Sequence, residues 1–245
     1  MVLAEFLAKS TQRKLILTGR TPFPSRTQWN DWIKSQGARN SISRKIQKIR
    51  KLENHGAHVY IVTADVTSRK KMKSEIFQLI EKVGPLNGVI HAAGLPGEGI
   101  LQLKTPESAK KNLAPKIEGT LILKEITEDM KLDFFILCSS IASILGGIGL
   151  SDYCASNSFL DALAAQQNNQ QQNRFIAVNW DMWGQVGMGL KTHMPDELKE
   201  WFERELRNGI TSREGVEVFK RIISQQISPQ IVFLLAISWL GLISG

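Results

Sequence analysis

Short, nearly continuous apolar runs recur along the chain and alternate with segments of helical periodicity. The clearest runs are KLILT at 14–18, HVYIVT at 58–63, GVIH at 88–91, FFILC at 134–138 and FIAVNW at 175–180, and a last strand is expected at 231–236. Runs of this length and composition indicate strands that are buried on both faces of a parallel sheet. The helical segments are expected at 43–54, 68–83, 106–128, 152–166, 196–206 and 212–224, and the segment 21–37 is expected to be a loop with one helical turn. This alternation predicts an α/β fold with a Rossmann-like, doubly wound parallel sheet, in a single domain over 1–245.

The chain is basic, with 31 Lys and Arg against 23 Asp and Glu and a formal net charge of +8. Such a charge admits an anionic partner, which could be a nucleic acid, an acidic carrier protein or a phosphorylated cofactor. The densest basic run, 44–52, has its lysines and arginines interleaved with Ile46, Ile49 and Leu52. That spacing is typical of a surface helix with a solvated charged face, so the run by itself does not indicate nucleic-acid binding.

Cysteine and histidine are too few to organise the fold through disulfides or metal. Cys138 and Cys154 both lie in apolar surroundings, which is typical of reduced thiols in a cytosolic protein. His55 and His58 have no second pair of ligands nearby in sequence, and we therefore expect no metal site. The apolar segment 231–243 is shorter than the roughly 20 residues that span a bilayer, so no membrane association is expected.

The stretch 134–164, FFILCSSIASILGGIGLSDYCASNSFLDALA, carries the most chemistry. A predicted strand ends at Ser139 and Ser140, a glycine-rich loop follows, and a predicted helix then begins with Tyr153 in its first turn. Ligands of open α/β sheets bind beyond the carboxyl ends of the strands, where these serines fall. A serine hydroxyl there can hold a carbonyl oxygen, and a tyrosine can give that oxygen a proton. Because an ordinary tyrosine pKa is near 10, we expect a neighbouring cation to lower it. Taken alone, a tyrosine at a helix start such as Tyr153 is usually a packed aromatic residue.

This stretch resembles the active-site region of short-chain dehydrogenases/reductases, and specifically of the ketoreductase domains of modular polyketide and fatty acid synthases. Most of that superfamily has a lysine four residues after the tyrosine, where this chain has Asn157. Ketoreductase domains interchange the asparagine and the lysine, and Lys116 stands in the matching K-I-E-G-T-L-I-L context. The resemblance implies that Tyr153 donates a proton, that Ser140 orients the carbonyl, and that Lys116 and Asn157 support them.

The same resemblance implies an NADPH site. Arg20, in LILTGRT, would meet the 2′-phosphate, and Asp65 with Val66 would hold the adenine. The small residues Ala92, Ala93 and Gly94 would let the cofactor lie against the backbone, and Tyr153 and Lys116 would also contact it.

Two features depart from the family pattern. The glycine-rich fingerprint that carries the pyrophosphate, together with the strand before it, is not found, and Val2 to Ala8 resembles the helix that follows the last glycine. We therefore expect a sheet that lacks the family's first strand, between the strands at Leu15 and Val89. The tail 232–245 also lacks the family's T-G-D-L segment, and we hypothesise that it is the product of a frameshift.

The function implied is the NADPH-dependent reduction of a β-ketoacyl thioester, carried on the phosphopantetheine arm of an acyl carrier protein beside other synthase domains. One alternative is an inactive fragment that serves at most as a structural or interaction piece. Another is a stand-alone short-chain reductase of a small ketone. Neither a nucleic acid nor a membrane is expected as a partner.

The absence of the glycine loop from this sequence generates a direct prediction. We expect the 245-residue chain to fold poorly and to reduce nothing by itself. Adding about 30 residues of first strand and glycine loop at the N-terminus is expected to restore NADPH binding, because backbone N–H groups at that helix start bind the pyrophosphate. The binding is measured by cofactor fluorescence, and equal binding with and without the added segment would contradict the prediction.

Overall fold

The computed structural model describes residues 1–10, 13–97, 99–168, 174–191, 196–225 and 229–234. These residues form an α/β structure that divides into two compact units, Met1–Gly84 and Pro85–Gly245. Every strand pair is parallel, as expected for a Rossmann-like fold. Most of the 232–245 tail, from 235 onwards, lies outside the described residues. The expectation of one domain over 1–245 stays a prediction.

In the described residues, the first unit has a two-stranded sheet and four α-helices. Its strands are β1 (Lys14–Gly19) and β2 (His58–Thr63), and its helices are α1 (Val2–Ser10), α2 (Trp29–Gln36), α3 (Ser41–Asn54) and α4 (Arg69–Val83). The buried core of the unit includes Ile46, Ile49 and Leu52, so the basic run forms an amphipathic helix, α3, as predicted. Asn40 caps α3 by accepting hydrogen bonds from the amides of Ile42 and Ser43.

The expectation of a loop over 21–37 was wrong in its second half. A short 3₁₀ turn at Arg26–Gln28 leads directly into α2. Trp29, Trp32 and Ile33 stand at helical spacing and pack against the core of the unit, and Trp29 is buried. The indole of Trp29 also donates a hydrogen bond to the carbonyl of Pro24 at 3.0 Å. Packing of this aromatic stripe outweighs the turn-forming composition of the segment.

The second unit contains a four-stranded sheet in the order β3-β4-β5-β6. The strands are β3 (Gly88–His91), β4 (Phe134–Ser140), β5 (Phe175–Trp180) and β6 (Gln230–Phe233). The helices are α5 (Pro106–Leu113), α6 (Ile117–Ile126), α7 (Ala142–Leu145), α8 (Ser151–Asn168), α9 (Asp196–Asn208) and α10 (Ser212–Ser224). All six residues of β5 are buried, which explains its continuous apolar sequence. No strand pair of the described residues joins this sheet to β1 and β2.

The expected long helix over 106–128 is two helices. Pro115 lies at the junction of α5 and α6, where its ring cannot donate the backbone hydrogen bond that a continuous helix needs. The chain turns at 114–116 and restarts, so Lys116 is the residue immediately before α6. The threonine that follows it by one helical turn, Thr120, donates its hydroxyl to the Lys116 carbonyl. The break therefore sets the position of Lys116.

A buried ion pair holds the N-terminus of α8. The Lys104 ammonium lies 2.9 Å from a carboxylate oxygen of Asp152, and their side chains are 6% and 3% exposed. Asn112 donates to the same oxygen at 2.6 Å. Burial would raise the pKa of Asp152, but the hydrogen bonds from Asn112 and Lys104 outweigh it and lower that pKa. Among the described helices, none combines the length and the apolarity that crossing a bilayer requires.

Because this ion pair is buried, we expect the single variant Lys104→Met to lose more stability than the double variant that also neutralises Asp152. We expect Lys104→Met to reduce the free energy of unfolding by about 3 kcal/mol, because it leaves a buried carboxylate without its counter-charge. Adding Asp152→Asn should recover most of the loss, since a neutral amide needs no counter-charge. Urea denaturation measures both values, and Lys110→Met, at an exposed position, is the control. Losses that simply add in the double variant would contradict the prediction.

Candidate active site

The carboxyl end of β4 places two serines in different environments. Ser139 is buried and donates its hydroxyl to the backbone carbonyl of Asn157 at 3.3 Å. Ser140, the next residue, is half-buried, and its Oγ accepts a hydrogen bond from the amide of Ala142 at 3.3 Å. Successive strand residues point to opposite faces, which explains the difference. Ser140 is thus the hydroxyl that remains partly accessible at this edge of the sheet.

Tyr153 and Asn157 stand one turn apart on α8. The Asn157 side chain is fully buried, and its amide nitrogen donates to the backbone carbonyl of Tyr153 at 2.7 Å. The amide oxygen of Asn157 has no hydrogen-bond partner in the described part of the chain, although it is shut off from solvent. Ser140 and Asn157 both interact with the Tyr153 phenol closely enough to affect its pKa. The structure therefore brings together three of the four residues predicted for catalysis.

The pKa of Tyr153 differs from the expectation of a cation-lowered value. Burial raises the pKa of Tyr153 above its ordinary value, and hydrogen bonding to Ser140 and Asn157 only partly opposes that effect. Lys116 is not among the main groups that shift the pKa of Tyr153, and its ammonium donates instead to the backbone carbonyl of Cys138. The phenol is consequently held in its protonated form at neutral pH.

Lys116 is almost completely buried, with 3% of its surface exposed. Its ammonium donates to the backbone carbonyl of Cys138, on β4, at 2.7 Å. Burial lowers the pKa of Lys116 to about 8, while the Coulombic influences of Cys138 and Asp161 raise it. The buried imidazole of His91 faces the same ammonium, and burial together with Lys116 lowers the pKa of His91 to about 4. His91 is therefore neutral at pH 7, and its Nε2 lies 3.0 Å from the carbonyl of Pro115.

The loop after β3 runs past both Lys116 and Tyr153. A Cβ added at Gly94 would lie 3.0 Å from Cε of Lys116, and one added at Gly97 would lie 3.1 Å from Cβ of Tyr153. The absence of side chains at these glycines lets the loop approach both residues. Ala92 and Ala93, which precede them, are exposed. The loop thus presents small residues beside the lysine, and the contact of these residues with a cofactor stays a prediction.

The remaining predicted cofactor residues lie in the first unit. Arg20 directly follows β1 and Asp65 lies after β2, and because these parallel strands are neighbours the two side chains meet at 3.8 Å between Nε and Oδ2. Asp65 also accepts hydrogen bonds from the amide and hydroxyl of Thr67 at 2.9 and 2.7 Å. Burial would raise the pKa of Asp65, but the bonds from Thr67 and the charge of Arg20 lower it. Val66 is buried, and its contact with the adenine stays a prediction.

Sequence reasoning missed two carboxylates. Asp152 lies inside the first turn of α8 and binds Lys104 and Asn112. The carboxylate of Asp161 accepts hydrogen bonds from Ser143 and Asn179. The only signal in the sequence for Asp161 is its spacing, four residues after Asn157 and eight after Tyr153, which puts all three on one helix face.

The family comparison agrees with this geometry. The family model described as "KR domain" matches residues 1–185. Two curated relatives are "6-methylsalicylic acid synthase" of Aspergillus terreus and "Polyketide synthase PksM" of Bacillus subtilis. They are 34% and 30% identical over 91% and 94% of this chain. The chain spans only 12% and 5% of the length of these two relatives.

Solved structures show the same fold. A ketoreductase domain from the bacillaene assembly line superposes with a TM-score of 0.74 at 28% identity, covering 94% of this chain and 52% of that one. An N-terminal ketoreductase from the macrolactin assembly line gives a TM-score of 0.72 at 29% identity, covering 94% and 41%. The chain belongs to the KR domain family, the ketoreductase domains of polyketide synthases within the short-chain dehydrogenase/reductase fold.

Proposed function

We propose that this chain is an NADPH-dependent reductase of a β-ketoacyl thioester carried by an acyl carrier protein, in polyketide or fatty acid biosynthesis. One observation carries the proposal. Tyr153 and Ser140 interact at the carboxyl end of β4, and the buried ammonium of Lys116 is bonded to the same end of that strand. Family membership supports the reaction type, the reduction of a β-keto group to a β-hydroxy group.

The residues in place are compatible with a nicotinamide cofactor. In the second unit, the exposed Ala92 and Ala93 and the adjoining Gly94 form an open backbone surface. The buried oxygen of Asn157 is an acceptor with no partner among the described residues, and such groups are normally satisfied by a ligand or an ordered water. In the first unit, Arg20 supplies a 58%-exposed guanidinium that can bind the 2′-phosphate distinguishing NADPH from NADH.

The chain's own residues supply positioning and the proton. NADPH, when bound, supplies the hydride that adds to the carbonyl carbon. The Ser140 hydroxyl donates a hydrogen bond to the carbonyl oxygen and so fixes its direction. The Tyr153 phenol, which burial keeps protonated, then gives its proton to the developing alkoxide. One hydride and one proton convert the ketone into the secondary alcohol.

The proposed partners follow from the chemistry of the substrate and from the length of the matched relatives. An acyl carrier protein would present the β-ketoacyl group on phosphopantetheine, and an acidic carrier surface would suit the net charge of +8. The matched relatives are much longer chains, which supports other synthase domains as neighbours. The two described cysteines are both free, which fits a reducing, cytosolic compartment.

Replacing the proton donor tests the proposal directly. We expect Tyr153→Phe to reduce kcat by about a hundredfold or more, because the phenol hydroxyl is the proton source, while NADPH binding is retained. NADPH oxidation is followed with a carrier-bound β-ketoacyl thioester, and cofactor fluorescence measures binding. The assay uses the chain with the added glycine-loop segment. Tyr60→Phe removes the hydroxyl of the other tyrosine, on β2, and is the matched control.

The outcomes separate the alternatives. Turnover of a small free ketone without turnover of the carrier-bound thioester would favour a stand-alone reductase. A folded protein that binds no NADPH, with or without the added segment, would favour an inactive structural piece. Equal kcat for Tyr153→Phe and the unaltered protein would refute the role of Tyr153.

We expect the buried charge of Lys116 to lower the stability of the protein while it supports activity. Its pKa falls from 10.5 to about 8 on folding, so at pH 7 the buried charge lowers the free energy of unfolding by about 3 kcal/mol. We expect Lys116→Met to abolish reduction, because it removes the ammonium proposed to contact the cofactor, and yet to raise the free energy of unfolding by about 1–3 kcal/mol at pH 7. This gain should shrink as the pH rises from 8 towards 10.5, since the folded and unfolded lysines are then both neutral. Urea denaturation between pH 7 and 10.5 measures it, with the exposed Lys131→Met as the control.

A further inference from the structure

We propose that Asp161 is a positioning residue of this active site, fixing the turn that carries Ser140 and supplying the negative charge that faces Lys116. The inference rests on the proposed function, because it assigns a role within the same site. Asp161 is not among the residues that the family resemblance implies. Its assignment comes from its hydrogen bonds, its place on α8 and the charges around Lys116.

The carboxylate of Asp161 gathers two donors from different elements onto one oxygen. Its Oδ2 lies 2.6 Å from the hydroxyl of Ser143, on α7, and 2.8 Å from the side-chain nitrogen of Asn179, on β5. Asn179 in turn donates to the Ser143 hydroxyl at 2.8 Å. The three side chains form a closed triangle that joins α7, α8 and β5.

The same two donors also reach the backbone of Ser140. The Ser143 hydroxyl lies 2.9 Å from the Ser140 carbonyl, and the Asn179 nitrogen lies 3.3 Å from it. A serine hydroxyl has one hydrogen, and the charged acceptor at 2.6 Å takes it in preference to the neutral carbonyl. Asp161 therefore holds Ser143, three residues after Ser140, against α8 and β5, and through that residue it fixes the turn between β4 and α7.

The other oxygen of Asp161 makes no hydrogen bond. Oδ1 is shut off from solvent and has no partner in the described part of the chain. A buried carboxylate oxygen left in this way costs about 1–3 kcal/mol. The unpartnered oxygen is therefore a cost of placing a carboxylate at this position.

That charge faces Lys116. The groups that act electrostatically with the Lys116 ammonium are His91 on β3, Cys138 on β4 and Asp161 on α8. Burial raises the pKa of the Cys138 thiol and lowers that of His91, so both are neutral at pH 7. Among the described groups that face the lysine, the carboxylate of Asp161 is the one that opposes its charge, and it raises the pKa of Lys116.

The test uses Asp161→Asn, which keeps the shape and removes the charge. We expect kcat to fall about tenfold to a hundredfold, with KM changed less than threefold, because the turn bearing Ser140 is no longer held in place. We also expect the alkaline limb of the pH–rate profile to move to lower pH. Lys116 without its counter-charge loses its proton at a lower pH, and the proposed contact of its ammonium with the cofactor is lost with that proton. Asp129→Asn removes an exposed carboxylate and is the matched control.

A second readout does not depend on activity. The titration of Lys116 is followed by NMR of the protein labelled with ¹³C at lysine Cε, and the signal is identified by its loss in Lys116→Met. We expect a lower midpoint in Asp161→Asn and a midpoint near that of the unaltered protein in Asp161→Glu, which keeps the charge. Ser143→Ala removes one donor but leaves the charge, so it should lower kcat without moving the midpoint.

The outcomes are distinguishable from failure of the proposed function. If the unaltered protein does not reduce the β-ketoacyl thioester, the proposed function fails and the Lys116 titration still tests Asp161. If the unaltered protein is active, the inference is overturned by a folded Asp161→Asn variant in which kcat, the alkaline limb of the pH–rate profile and the midpoint of the Lys116 titration are all unchanged. If Asp161→Asn does not fold, an unchanged kcat in Ser143→Ala or a lowered midpoint in Asp161→Glu overturns it.

Discussion

The burial of one ammonium group constrains the arrangement of the second unit. An unpaired charge in a protein interior is strongly unfavourable, and Lys116 is 3% exposed. Its direct hydrogen-bond partner is a backbone carbonyl, that of Cys138, rather than a carboxylate. A carbonyl dipole compensates only part of the desolvation, which is why the pKa of the lysine falls to about 8. The surrounding elements must therefore hold the lysine ammonium in the protein interior, although its desolvation is unfavourable there.

Several features of the sequence hold it there. Pro115 ends the run of helix before Lys116 and restarts it after, so the lysine projects from a turn rather than from a helix face. Gly94 lacks the Cβ that would press against the lysine stem. The strand that supplies the carbonyl, β4, is fixed between β3 and β5 by parallel pairing along its length. None of these residues is chemically reactive, but together they determine where the reactive ones lie.

The sequence predicts the strands well and the contacts around the site less well. Strands β2, β3 and β5 have the predicted bounds, because an apolar run bounded by polar residues leaves little choice of register. The segment 106–128 is predicted as one helix, rather than two, because its composition favours helix on both sides of Pro115. Lys116, Ser140, Tyr153 and Asn157 were found by resemblance, and the structure places Ser140 and Asn157 at the tyrosine. Asp161 and the pair Lys104 and Asp152 escaped because their partners are 18 to 48 residues distant along the chain.

The raised pKa of Tyr153 has the same origin as the depressed pKa of Lys116. Burial is the largest influence on both groups. Tyr153 lies in the first turn of α8, and later turns of the same helix pack Leu160 and Ala164 into the core with Phe135 and Phe175. Because that core is close-packed, α8 cannot shift to relieve an unfavourable charge or an unpaired acceptor along it. Tyr153, Asn157 and Asp161 thus remain at four-residue intervals in a poorly solvated setting, and two of them keep a buried oxygen without a partner among the described residues. The packed apolar residues of the helix supply the stability that lets its polar side chains remain unrelaxed, which is the arrangement expected where a site is preorganised at a cost to folding.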